Sequence, residues 1–316
     1  MPKIFFRILF SLLSKRAKFL AKRIRWNPLD IRLTSGVDPQ ICLQPSTVPG
    51  HEWIIDYEKE KELSEYPFFQ STIRGPTALH FLFLQDNGIE NIKHMIEHIC
   101  EVFRSPITEL QIFEESLIEW IIKFQPMMRH VSIRKDVIIS ARTLDRISKS
   151  LKMTDLFGID SVAIDENFHI TEPIPCPSIL IYNSFWITLP SILNGTNSII
   201  RLYDSKLTAK DINTILKEWQ LGNKLQNLKY LKIHNTLLNA NEVFEDLNPT
   251  VSFGNVGRPM TVEIYDEQTV KLVDVAAVLN LTRNDGKILS IFQHYEVFED
   301  EIMKICLNLQ VWSKQA

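Results

Sequence analysis

The stretch from Ser178 to Ile233 constrains the fold more than any other part of the chain. Ser178–Tyr182 (SILIY) and Ser198–Tyr203 (SIIRLY) are short runs rich in Ile, Leu and Tyr, bounded by Pro, Asn and Gly, the usual frame of a strand. Between Leu207 and Leu221 the apolar residues fall at Ile212, Ile215, Leu216 and Trp219, the spacing of one helical stripe. Thr208 stands as an N-cap, Asp211 takes the capping-box position three residues on, and Gly222-Asn223 supplies the stop. Leu228, Leu231 and Ile233 open the next strand. The stretch predicts strand, helix, strand, helix, strand. No residue in it is placed for covalent chemistry.

The same rhythm extends in both directions. Strand-like runs occur at Leu79–Leu84, Ile107–Ile112, Val131–Ile133, Ile159–Ile164, Ile179–Tyr182, Ile199–Tyr203, Leu228–Ile233 and Met260–Tyr265. Helical patterns lie between several of them, at Ile89–Phe103, Ser116–Phe124, Thr143–Leu151 and Thr208–Leu221. A single strand–helix unit cannot bury its apolar face, so such units stack into one core. The expected fold is α/β, an irregular leucine-rich-repeat-like array of strand–helix units. It lacks the strict LxxLxLxxN signature, which leaves a globular α/β domain as the alternative. A strand at Ile288–Phe292 and a helix from Phe298 are expected to cap the array.

A short helix and a small antiparallel hairpin unit precede it. Residues 4–24 read as one amphipathic helix, with Phe5, Ile8, Leu9, Leu12, Leu13, Phe19 and Leu20 apolar and the other side basic. Residues 1–25 hold eight Lys or Arg and no acid, within a chain of net charge -3. The apolar run is broken by Arg7 and is too short to span a membrane, and no small-residue cleavage site follows it. A surface-binding or organelle-addressing helix and a helix packed on its neighbour both fit this pattern. Ile31–Leu33, Ile41–Leu43 and Trp53–Ile55 then read as short strands, and residues 58–77 as a charged connection ending at Gly75-Pro76. The expected divisions are 1–26, 27–77 and 78–316, with the strongest pattern in 178–250.

Little points to catalysis. Ten glycines include no GxGxxG or GxxxxGK[ST], and there is no GxSxG elbow. His94-Met95-Ile96-Glu97-His98 has the HxxEH spacing of inverted zinc proteases, but Ile92, Met95, Ile96, Ile99 and Phe103 mark a buried stripe on that helix and no third ligand is visible. Cys42, Cys100, Cys176 and Cys306 lie far apart and read as buried free thiols. No catalytic, cofactor-binding or metal site, no nucleic-acid partner and no integral membrane association is expected. Phe185 and Trp186, just after a strand, are candidate target-binding anchors, with buried packing as the alternative.

Phe185–Leu189 (FWITL), Ile200–Asn213 (IRLYDSKLTAKDIN), Leu216–Trp219 (LKEW) and Leu228–Ile233 (LKYLKI) together resemble the F-box-associated type 2 domain of the nematode-expanded family of F-box proteins. His98–Phe103 and the hairpin around Ile41–Asp56 are similar to other parts of those chains. Leu9–Lys18 (LFSLLSKRAK) resembles the last part of the F-box, and the helices that would precede it are not in the sequence, so the F-box is expected to be truncated at its N-terminal side. The resemblance implies a non-enzymatic, cytoplasmic or nuclear substrate-recognition subunit of an SCF-type ubiquitin ligase. It implies two partners, a Skp-type adaptor touched by Leu9, Leu12 and Leu13 and a target protein, with adaptor binding impaired by the truncation. The alternative is a membrane-surface or organelle-targeted protein addressed by its basic helix.

Overall fold

A computed structural model describes residues 3–48, 50–58, 68–85, 87–135, 137, 140–160, 168–235, 239–254, 257–265, 268–297 and 303–313. The chain forms a mixed α/β structure of two compact units, Met1–Phe113 and Glu114–Ala316.

The first unit contains α1 (Lys3–Leu12), α2 (Lys15–Arg23), β1 (Leu29–Ser35), β2 (Pro39–Pro45), β3 (His51–Glu58), β4 (Phe68–Arg74), β5 (Thr77–Gln85), α3 (Ile89–Phe103) and β6 (Ile107–Ile112). Its strands lie in the order β6-β1-β2-β3-β5-β4. The antiparallel pairs β1–β2 and β2–β3 are the expected hairpin unit. Ile31, Leu33, Ile41, Leu43, Ile55 and Leu82 are solvent-excluded, as are Ile92, Ile96, Ile99 and Val102 of α3. Arg7 is buried here too. Its Nη2 donates to the carbonyls of Val102 at 2.8 Å and Ile24 at 3.0 Å, and its guanidinium lies 4.5 Å from the centre of the Phe103 ring.

Two expectations for this unit are corrected. The basic N-terminal segment is two helices, not one. Ser14 is extended (φ -168°) and its hydroxyl accepts from the Ala17 amide, so it breaks the first helix and caps the second. The segment read as a charged connection contains a strand, β4, which pairs antiparallel with β5 across a turn at Gly75-Pro76. Gly75 has φ +59°, a left-handed conformation that suits glycine and lets the chain reverse. The acidic and basic run beyond Glu58 lies outside the described residues.

The second unit contains α4 (Ser116–Phe124), β7 (Met127–Ile133), α5 (Ala141–Ser150), β8 (Lys152–Ile159), β9 (Ser178–Ile181), a 3-10 turn (Ser184–Trp186), α6 (Leu189–Leu193), β10 (Ile199–Leu202), α7 (Ala209–Leu221), β11 (Tyr230–Asn235), α8 (Ala240–Val243), β12 (Thr250–Phe253), β13 (Thr261–Tyr265), β14 (Gln268–Lys271), β15 (Ala277–Thr282), β16 (Lys287–Val297) and β17 (Met303–Ser313). Its main sheet has the order β12-β15-β16-β17-β11-β10-β9-β8-β7. From β7 to β11 the strands are parallel and neighbours in chain order. Beyond β11 the pairing is antiparallel.

Helix α7 shows why this sequence folds as it does. Thr208 accepts from the Asp211 amide and the Asp211 carboxylate accepts from the Thr208 amide, a complete capping box. Gly222 closes the helix in the left-handed conformation at φ +75°. Ile212, Ile215, Leu216 and Trp219 are all solvent-excluded.

Two strands differ from expectation. Of the run expected at Ile159–Ile164 only Ile159 lies in a described strand, the last residue of β8; residues 161–164 lie outside the described residues. The C-terminal helix expected from Phe298 is replaced by β17. Residues 298–302 are outside the described residues, and Met303–Ser313 lies between two strands that hydrogen-bond it on both sides. The array therefore ends in antiparallel strands rather than a helix. No helix among the described residues is long and apolar enough to cross a membrane.

The capping box predicts that Thr208→Ala lowers unfolding stability by about 1 kcal/mol. Replacing the exposed Lys210 by Ala changes it by less than about 0.5 kcal/mol. Denaturant midpoints of the two variants check this.

Candidate functional site

Strand register sorts the side chains of the second unit onto two unlike faces. One carries the rows Phe157–Ile179–Ile200–Leu231–Leu309–Ile291 and Ile159–Ile181–Leu202–Ile233–Leu307. Every residue in both rows is buried. Parallel strands in chain order require right-handed crossovers, which bring their connecting helices to one face. The wholly apolar, sealed face is the one those helices can cover.

The opposite face has a different character. One of its rows reads Leu180–Arg201–Lys232–Asn308–Phe292, and the next Tyr182–Tyr203–His234–Cys306–His294. Leu180, Tyr182, Arg201, Tyr203 and Lys232 are all only partly buried. At one end the β13–β14 hairpin covers this face, packing Val262 and Leu272 against Ile199, Tyr230, Val278 and Phe292. Arg258 fastens the hairpin, with its guanidinium 4.3 Å from the Phe292 ring centre and Nη1 donating to Gln310. Away from the hairpin, Tyr182, Arg201, Tyr203 and Lys232 keep part of their surface in solvent.

A short local device positions the tyrosines. Tyr182 is followed by Asn183-Ser184 and Tyr203 by Asp204-Ser205, and Asn183 and Asp204 are both left-handed, at φ 50° and 53°. After each turn the serine amide donates to the neighbouring strand, Ser184 to the Tyr203 carbonyl and Ser205 to the His234 carbonyl. Each tyrosine is thereby held level with the next aromatic ring. The Tyr182 and Tyr203 rings stack at 4.3 Å, and Tyr203 and His234 at 4.0 Å. This Tyr-[Asn/Asp]-Ser repeat is the signal in the sequence that could have pointed to the face.

Charge is concentrated at the end of the row. Lys232 donates to Glu296 Oε1 at 2.6 Å, and His294 Nε2 lies 2.7 Å from the same oxygen. Burial alone would raise the Glu296 carboxyl, but these hydrogen bonds outweigh it and hold it at about 2. Burial, reinforced by Lys232, pushes the His234 imidazole down to about 4, so it is neutral near pH 7. Burial, with Glu296 beside it, raises the Cys306 thiol to about 12. Burial also raises the Tyr182 and Tyr203 phenols. Deeper in the face, Tyr230 donates to Asn308 Oδ1 at 2.6 Å, and the Asn308 amide bonds His294 Nδ1 at 2.9 Å.

The residues singled out in the sequence are scattered. Trp186 is fully buried and packs on Phe168, so it is a core residue and not a surface anchor. Phe185 is partly buried with the Lys206 ammonium 5.2 Å from its ring centre. Leu12 and Leu13 are exposed at the end of α1, and Leu9 is partly buried. His94 is exposed on α3, whereas His98 Nε2 lies 2.7 Å from Ser11 Oγ, so the HxxEH pair does not converge on one point. All four cysteines are buried, and none is in a disulfide.

The polar network predicts that Tyr230→Phe, which leaves the buried Asn308 oxygen without this donor, costs about 1–3 kcal/mol. Tyr295→Phe, at a position 67 % exposed, changes stability by less than about 0.5 kcal/mol. Urea unfolding of both variants checks the contrast.

Comparison with known proteins brings one match. No curated protein and no solved structure matches the chain. The model of a family described as F-box associated matches residues 166–233, the segment that spans β9, β10 and α7 and ends within β11, and so carries Tyr182, Arg201, Tyr203 and Lys232.

Proposed function

We propose that the chain is a protein-interaction module, the substrate-recognition subunit of an SCF-type ubiquitin ligase, and that it performs no covalent chemistry. The observation that carries this reading is that the F-box-associated match covers the partly exposed Leu180, Tyr182, Arg201, Tyr203 and Lys232 of one sheet face. Aromatic and Arg side chains on a rigid sheet are the composition of binding hot spots. Tyr182, Arg201 and Tyr203 offer large contact areas at little conformational cost, because stacking and flanking turns already order them. The parallel strands in chain order support reading this unit as an irregular leucine-rich-repeat-like array, in which such a face is the recognition surface. Phe185, beside Lys206, adds an anchor near the ends of the same strands.

In this reading residues 1–26, which include the segment similar to the last part of an F-box, contact a Skp-type adaptor. Exposed Leu12 and Leu13, with Leu9 on the same helix, supply the apolar contact. The protein then works in the cytoplasm or nucleus. A second reading, attachment to a membrane surface, is favoured by the exposed Phe19, Leu20 and Ile24 on and just after α2, among the basic residues of this segment.

Co-purification of the full chain with a Skp-type adaptor tests the first reading. The native chain is expected to retain adaptor weakly and Leu12→Asp/Leu13→Asp to lose it; no retention by the native chain removes the ligase assignment. Sedimentation with anionic vesicles, unaffected by those substitutions, would favour the membrane reading. For the target, a photo-crosslinker at Leu180 is expected to capture a protein that Arg201→Glu loses at least tenfold. A crosslinker on the outer side of α7 is expected to miss it. Equal capture from both positions overturns the assignment of the face.

A further inference from the structure

Arg7 stands where an apolar residue would be expected. Ile4, Ile8 and Ser11 on α1 are buried, and Arg7 is buried with them at 5 % exposure. Its Nη2 serves two helix ends, donating to the Ile24 carbonyl just after α2 and to the Val102 carbonyl in α3. Its Nε and Nη1 are also buried, and they have no hydrogen-bond partner among the described residues. Arg7 lines an open cleft of about 560 Å³ together with Lys22, Arg23, Arg25 and Arg104, and among the described residues no acidic side chain lines it. We propose that this cleft binds a doubly charged phosphate group, carried by a small soluble molecule or by a lipid headgroup.

A buried cation without a counter-ion is costly, and two carbonyls and the Phe103 ring face offset only part of that cost. Burial presses the Arg7 pKa downward and the Arg104 charge adds to it, the direction expected where positive charge has nothing opposite it. Glu101, the acid on the adjoining helix, holds Lys18 and Lys22 and does not line the cleft. The helix dipole favours a cation at each C-terminus. That accounts for one basic residue at the end of α2 and one at the end of α3, but not for five around one cleft. An anion seated there supplies the counter-ion that the chain does not.

The residue types suit phosphate. Guanidinium groups present paired N–H donors that match phosphate oxygens two at a time, and they stay charged at any physiological pH. Arg25 belongs to the link after α2 and Arg104 caps α3, and both are exposed, so their long side chains are able to close on an anion. The link is pinned against the end of α3 by the Leu29 amide, which donates to Ser105 Oγ at 2.9 Å. Trp26 and Phe103, whose rings meet edge to face at 6.0 Å, form an apolar wall for the group that bears the phosphate. A single carboxylate would leave most of the positive charge unbalanced. Ile24 lines the cleft and is exposed, as are Phe19 and Leu20 of α2, so the same site can also seat a headgroup whose acyl chains lie beside these residues.

The test is calorimetric titration of the full chain with pyrophosphate at constant ionic strength, beside acetate. One saturable site is expected for pyrophosphate and none for acetate. Arg25→Ser/Arg104→Ser is expected to weaken binding at least about tenfold, the loss of charge-assisted hydrogen bonds. Lys15→Ser/Arg16→Ser removes the same charge from exposed positions outside the cleft and is expected to weaken it less than about twofold. Circular dichroism establishes that each variant is folded. Phosphatidylcholine vesicles containing phosphatidic acid distinguish the two sources. Sedimentation of the chain with them, reversed by pyrophosphate, assigns a lipid headgroup; pyrophosphate binding without sedimentation assigns a soluble phosphate. Absence of saturable pyrophosphate binding by the folded native chain overturns the proposal, as does equal weakening by the two double variants, which would reduce the effect to general charge.

Discussion

The second unit depends on one constraint: its sheet buries one face wholly in hydrocarbon and the other only at the end under the β13–β14 hairpin. Strand alternation delivers Phe157, Ile179, Ile200, Leu231 and Leu309 to one side and Tyr182, Tyr203, His234 and Cys306 to the other. Parallel sheets are usually covered on both faces and read as continuous apolar runs. Here the alternation survives across parallel strands, so the second face cannot be sealed by helices without stranding polar groups. Stacking between rings, a lysine–carboxylate–histidine cluster and a small hairpin hold that face together instead. Recognition, as proposed above, uses the part of that face where Leu180, Tyr182, Arg201 and Tyr203 stay partly exposed.

Much of this was legible in the sequence where a signal is local. Helix α7 carries its stripe, its capping box and its stop within fifteen residues or so, and α3 and α4 follow the expected apolar spacing to their ends. The single helix read over residues 4–24 failed at Ser14, because apolar periodicity runs straight through a residue whose extended backbone ends the first helix and whose hydroxyl caps the second. Strand β17 was read as helical because Met303–Ser313 has no turn signal of its own, and its identity is supplied by β11 and β16, which flank it in space.

The candidate site was hidden for a related reason. Tyr182, Tyr203 and His234 stand in separate strands, and each by itself is an ordinary strand-end residue. Only register makes them a row. Trp186 attracted attention as a large aromatic after a strand, yet it is Tyr182 and Tyr203 that remain partly exposed. Composition could not distinguish them, since burial is a property of the face and not of the residue type. The contact of Lys232 with Glu296 is equally silent in the sequence, because its two partners lie 64 residues apart.

The pairing of β17 with β11 has a consequence for how the chain reaches its structure. Tyr230 and Asn308, joined by a 2.6 Å hydrogen bond, are 78 residues apart in the chain. The parallel strands β7 to β11 can assemble progressively as each follows its predecessor, but the outer edge of β11 has no partner until β17 arrives. Non-local closures of this kind are slow steps, and an open strand edge is a template for pairing with another chain. During synthesis, therefore, the half-built sheet presents a sticky border for as long as the last strands are missing, and a holding chaperone would find its substrate there.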